Sequence, residues 1–137
     1  MAELPAAAAA QLAAQLAALG EEFQRSLPAR LRQLEAASMA LGKDWQAWDE
    51  SDEAALRELS AAAHGLAGAA GTFGHPVLGA TALAIEELAR QLDANPAARV
   101  DSARDALYRL LTTLRAAADS SPPAVTAPAG ALSGARK

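Results

Sequence analysis

The chain of 137 residues contains no cysteine. Disulfides, thiolate nucleophiles and cysteine-based metal sites are therefore excluded, which suits a reducing compartment. Aromatic side chains make up only 4 % of the sequence, so its core has to be assembled from leucine and alanine. β-branched residues are scarce as well, which leaves a sheet little to build on. There is no basic excess: 12 lysines and arginines stand against 16 aspartates and glutamates, a net charge of −4. Without a basic stripe to neutralise phosphates, nucleic acid is not expected as a partner. No apolar run is leucine-rich and long enough to span a membrane, and the N-terminus lacks the basic start of a secretory signal. A cytoplasmic protein is expected.

Signatures of catalysis are also missing. No Walker-type phosphate loop, dinucleotide fingerprint or nucleophile elbow occurs. The two histidines, His64 and His75, lack the i, i+4 spacing of a helical metal site. An enzyme with its own ATP site is not expected, nor is a metal or cofactor of its own.

What is present is the composition of helices: alanine, leucine, arginine, glutamate and glutamine. The fold class read from it is all-α. Leu12, Leu16, Leu19 and Phe23 repeat at helical spacing and predict a first amphipathic helix over about residues 6–25. Pro28 fits the first turn of a second helix that carries Leu31, Leu34 and Met39 or Leu41, with Gly42 as its stop. Asp49 or Ser51 is placed to cap a third, whose stripe Leu56, Leu59, Ala63, Leu66, Ala70 and Phe73 forms the core face. Gly74 ends that helix and Pro76 opens a fourth, to about residue 92, offering Leu78, Leu83, Ile85 and Leu88. Asn95-Pro96 reads as the start of a last helix carrying Val100, Leu107, Leu110 and Leu114 and ending near Ala118. Short connections predict an antiparallel up-and-down four-helix bundle with an additional N-terminal helix, over residues 1–118. Residues 119–137, rich in proline, alanine, glycine and serine, read as a disordered tail or linker. Trp45 and Trp48 are expected to cover one end of the bundle.

The most telling segment runs from Leu59 to Ile85, where no charged side chain occurs. His64 lies in it, about 140° from the middle of the core stripe at roughly 100° per residue, and is expected to face outward. Its helical neighbours on that face are Ser60, Ala61, Ala67, Gly68 and Gly71, all small. A lone imidazole on a smooth face can be approached closely by another macromolecule, and a neutral ring nitrogen is a nucleophile toward phosphorus. The glycines at 65, 68 and 71 fit either close packing within the bundle or docking of a partner. His75 reads as a turn residue before Pro76.

The segment Ala63-His64-Gly65-Leu66-Ala67-Gly68-Ala69-Ala70-Gly71-Thr72-Phe73-Gly74 resembles the signature of histidine-containing phosphotransfer (HPt) domains, His-x-Leu-Lys-Gly followed by small residues and glycines. The resemblance covers about residues 12–118. It implies a helical bundle that acts as a phosphorelay intermediate, not an enzyme in its own right. His64 would accept a phosphoryl group and exchange it with the aspartate of a response-regulator receiver domain or take it from a hybrid histidine kinase. Ser60, Ala61, Ala67, Gly68 and Gly71 would form the docking face, with Mg supplied by the receiver, and the domain is expected to be a monomer. In one respect the chain departs from the pattern: the lysine or arginine usual three residues after the histidine is Ala67. Arg57, two turns before His64, is the candidate for the missing phosphate-neutralising cation. Ala67 also favours an alternative, an HPt-like module that docks receivers or kinases without accepting phosphate. A plain helical scaffold or oligomerisation domain is a third reading, favoured by the N-terminal leucine repeat.

Overall fold

Residues 5–120 are described by a computed structural model. They form four α-helices, α1 (Ala6–Met39), α2 (Glu50–Thr72), α3 (Pro76–Ala94) and α4 (Asp101–Asp119), with a 3-10 turn at Pro96–Ala98 and no strand among the described residues. The all-α expectation holds. The separate N-terminal helix does not: the first two predicted helices are the single helix α1, and Pro28 lies inside it. A proline in a helix interior costs about 3 kcal/mol. Phe23 and Leu27 before it and Leu31 and Leu34 after it are all buried on one stripe, each contributing ~1.5–3 kcal/mol. That continuous stripe outweighs one lost hydrogen bond, so the helix runs through.

Gly42 likewise does not stop α1, which ends at Met39. Its backbone N–H instead donates to Asp52 Oδ1 at 2.6 Å, tying the end of α1 to the start of α2. Of the two cap candidates for α2, Asp49 is the one used. Its carboxylate accepts from the Asp52 N–H at 3.1 Å, while Asp52 Oδ2 accepts from the Asp49 N–H at 2.9 Å, a reciprocal capping box. Between α1 and α2, Trp45 is buried and its ring lies 4.9 Å from that of Trp48.

The turn from α2 to α3 is set by Gly74, whose φ of 78° lies in the left-handed region. The His75 N–H closes back on the Ala70 carbonyl at 2.9 Å, and Pro76 begins the next helix. α2 and α3 make the most extensive interface; α2 also packs on α1 and α3 on α4. The core is formed by the expected α2 stripe, with Leu56, Leu59, Ala63, Leu66 and Ala70 buried and Phe73 partly so. On α3 it is Leu78, Ala82, Ile85, Ala89 and Leu92 that go inside, whereas Leu83 is 52 % exposed. Met39 is exposed too, and Leu41 takes the buried place at the end of α1.

Asn95 caps the 3-10 turn and not α4, which starts at Asp101. The cause is Arg99, which is buried: its Nε donates to the Leu92 carbonyl at 2.8 Å, and its guanidinium sits 4.7 Å over the Trp48 ring. Holding that side chain inward interrupts the helical path after Pro96. α4 is tied to α1 by a two-pronged contact from Arg115 to the Glu35 carboxylate, at 2.7 and 2.9 Å. Of the expected C-terminal tail, Asp119 and Ser120 belong to the end of α4; the remainder lies outside the described residues. No helix among the described residues is long and apolar enough to cross a membrane.

Two backbone hydrogen bonds, from Asp49 and Gly42, hold the Asp52 carboxyl below its ordinary value of 3.8, against the opposing effect of burial. A carboxylate whose pKa is depressed by folding stabilises the fold above its unfolded value, and the contribution fades as pH falls through the folded one. Asp52→Asn is expected to lower the unfolding free energy by about 1–2 kcal/mol at neutral pH. Denaturant titrations should show that gap closing as the pH drops below about 4; a gap independent of pH would contradict this role for the carboxylate.

Candidate functional site

His64 sits midway along α2, on the face opposite the core stripe, and its side chain is 77 % exposed. Two open grooves meet at this ring. One is lined by Ser60, Ala61 and Arg57; the other by Ala67, Gly68 and Gly71 together with the start of α3. All the residues expected at the site are thus brought to one surface. A Cβ added at Gly68 or Gly71 would meet nothing within 4 Å. Neither glycine is therefore needed for packing within the bundle, and both leave the groove floor low. Gly79 of α3 does mark a close approach, since a Cβ there would lie 3.5 Å from Ala70 and 3.6 Å from the Ala67 carbonyl.

The site contains two residues that the sequence reading did not include. Glu86 of α3 is almost fully buried, and its Oε2 lies 2.9 Å from His64 Nδ1. Arg90, one turn further along α3 and 67 % exposed, places Nη1 3.4 Å from the same oxygen. Glu86, Arg90 and His64 line both grooves. The uncharged surroundings expected of His64 therefore hold along α2 but not across to α3. Periodicity carried a signal for Glu86, which falls four residues after Ala82 and three before Ala89, at the edge of the buried stripe. A carboxylate at such a position needs partners. Which ones it finds depends on the register of α3 against α2, which no spacing within either helix reveals.

The geometry fixes the chemistry of the ring. A carboxylate offers only acceptor lone pairs, so the hydrogen of the 2.9 Å contact is on Nδ1, which donates to Glu86. In the neutral ring Nε2 then keeps its lone pair, and no hydrogen bond from the described residues reaches it. The result is an imidazole anchored at one nitrogen, with the other presented to solvent as a nucleophile or proton acceptor. No group of three or more metal-ligating side chains occurs among the described residues.

His75 is more than a turn residue. It is buried, forms the N-cap of α3, and its ring packs at 5.4 Å on Phe23, which itself stacks on Phe73 at 5.5 Å. This ring cluster locks the α2–α3 turn onto α1 and so supports the lower groove.

Among known protein families, the model of the Hpt domain matches the chain over residues 18–120. No curated protein and no solved structure matches it.

The anchoring role of Glu86 has a direct spectroscopic consequence. In the neutral ring, 15N chemical shifts should report hydrogen on Nδ1 and a lone pair on Nε2 of His64. Glu86→Gln, whose amide oxygen still accepts, should keep that tautomer, and Glu86→Ala should release it to a mixture. An unchanged tautomer in Glu86→Ala would show that the contact does not orient the ring.

Proposed function

This chain belongs to the Hpt domain family, and from that membership we propose that it carries a phosphoryl group on His64 Nε2 between partners of a phosphorelay. Hpt domains act in histidine phosphotransfer, working with response-regulator receivers and histidine kinases, and are phosphocarriers more than enzymes. The observation that supports His64 as the carrier is its exposed ring held through Nδ1 by a buried carboxylate. The Nε2 lone pair attacks the phosphorus of a receiver's aspartyl phosphate. An N–P bond forms, the P–O bond to the aspartate breaks, and the aspartate leaves as a carboxylate. The proton stays on Nδ1, so the ring becomes cationic as the bond forms, and Glu86 at 2.9 Å stabilises that charge. Return transfer reverses each step.

In this reading a receiver docks over Gly68 and Gly71 and brings the Mg that its own phosphorylation chemistry uses. The four helices form an antiparallel up-and-down bundle that holds the docking face rigid, and the protein acts in the cytoplasm. Ala67 leaves α2 without the family's usual cation, and Arg90 provides one from α3. Its guanidinium is close enough to pair with Glu86 in the resting state and exposed enough to turn toward a phosphate on Nε2. Arg57 lines the upper groove and is the second cation in reach of the ring's surroundings. Ala67 also supports a second reading, a module that binds receivers or kinases without accepting phosphate.

Incubation with a receiver domain charged from a small-molecule phosphodonor separates the two. Acid-labile phosphohistidine should form on the wild type and be absent in His64→Gln, whose helical circular dichroism should be unchanged. Binding without transfer to the wild type would establish the second reading. Arg90→Ala is expected to slow transfer or shorten the phosphohistidine lifetime by roughly 3- to 10-fold, the scale of one partly exposed charge-assisted hydrogen bond. Arg57→Ala should have the smaller effect. If both variants behave as wild type, neither arginine replaces the missing lysine.

A further inference from the structure

Arg30 of α1 is held in place with most of its hydrogen-bonding capacity unspent. Half-buried, it donates from Nε to Ser26 Oγ at 3.0 Å, and Ser26 Oγ donates in turn to the Phe23 carbonyl at 2.8 Å. Its guanidinium lies 5.7 Å over the Phe23 ring. Neither Nη forms a hydrogen bond among the described residues, and Arg30 takes part in none of the ion pairs found there. Ordering an arginine side chain costs much rotamer freedom. A guanidinium fork that is ordered without an internal acceptor is preorganised for an external one.

Gly65 sets where that fork stands. Arg30 Nη1 lies 3.8 Å from the point a Gly65 Cβ would occupy. Gly65 directly follows His64, about 1.5 Å further along α2 and roughly 100° around it. It lies on the side of α2 that meets α1, whereas Ala67 and Ala70 meet Gly79 of α3. The bare face around His64 therefore has Arg30 on its α1 side and Arg90 on its α3 side, with Arg57 in the upper groove.

We propose that Arg30 is a docking residue whose free Nη groups bind a carboxylate on the rim of the partner's phosphorylation site. This rests on the phosphorelay reading, in which the partner is a receiver that brings Mg. Protein sites for Mg are built with carboxylates, so the rim that meets His64 is acidic. The surface here is complementary: three arginines from three helices stand around the ring, and Asp93 is the one exposed carboxylate among the residues lining the two grooves. Arg30 is anchored toward α1 through Nε, while the ring is anchored toward α3 through Nδ1. The two are thus drawn apart, which assigns Arg30 to the partner and leaves Arg90 to the phosphoryl group.

The test separates docking from transfer, using the receiver that phosphorylates or binds the wild type. The Kd is titrated with that receiver loaded with Mg and beryllofluoride, and the single-turnover rate is read at saturating phosphorylated receiver. Arg30→Met, which keeps the stem over Phe23, should raise Kd about 5- to 10-fold in low salt, with unchanged helical circular dichroism. The difference should shrink to about 2-fold or less at about 0.5 M salt. Arg30→Lys, which keeps charge but not the fork, and Ser26→Ala, which frees Nε, should each raise Kd about 2- to 3-fold. The loss should fall on Kd and not on the rate at saturation. An unchanged Kd in Arg30→Met, or a change confined to the saturated rate, would overturn the docking role and leave the phosphorelay reading standing. A wild type that neither binds nor is phosphorylated by a receiver would overturn both.

Discussion

The contact between Glu86 and His64 joins the two halves of the site, and much of the surrounding structure is arranged so that it can form. A carboxylate at the edge of a helix-bundle core is unfavourable unless its lone pairs are occupied. Here they accept from Nδ1 at 2.9 Å and face Arg90 at 3.4 Å. That arrangement exists only at one register of α3 against α2. Gly74 sets it by reversing the chain with a left-handed φ, and Gly79 allows α3 to approach the α2 backbone near Ala67 and Ala70. The ring cluster of Phe23, Phe73 and His75 then clamps the turn to α1. Site geometry and packing are therefore coupled: the residues that position the helices also decide which nitrogen of His64 meets Glu86 and which is left exposed.

In the proposed mechanism a charge is relocated without being lost. The smooth face of α2, with Ala67, Gly68 and Gly71, is open because none of these positions carries a bulky or charged side chain. A lysine on that face would combine docking surface and phosphate neutralisation in one helix. In this chain a guanidinium, that of Arg90, stands on the neighbouring helix beside the same carboxylate that holds the imidazole. In the proposed mechanism Glu86 alternates between two cationic partners, the guanidinium at rest and the phosphorylated ring after transfer. Along α1, a different division applies, since the first turns lie beyond the bundle and carry an apolar surface that neither groove uses.

Features encoded within single helices were legible in the sequence. The α2 stripe from Leu56 to Phe73, the outward position of His64, the Asp49 cap and the Gly74-His75-Pro76 turn all follow from local periodicity and capping chemistry. The readings that needed correction depended on tertiary context. Pro28 reads as a helix start by its own chemistry, and only the burial of residues on both sides makes it an interior residue. Asn95-Pro96 has the signature of a helix start, yet Arg99 is drawn inward to Leu92 and Trp48 and delays α4 to Asp101. Leu83 looks like core in a list of apolar residues but faces the groove, while Glu86 looks like surface and is buried. Arg57 could be nominated as the cation because it shares a helix with His64; Arg90 could not, because its proximity is created by the packing of α3.

The central claim is that Glu86 leaves Nε2 of His64 as the nitrogen that carries phosphate. The most direct measurement is the position of the N–P bond in the phosphorylated protein, read from 31P–15N couplings in labelled histidine. Phosphorus bonded to Nε2 of His64, with hydrogen retained on Nδ1, is the predicted result. A phosphoryl group on Nδ1, or on a residue other than His64, would contradict it.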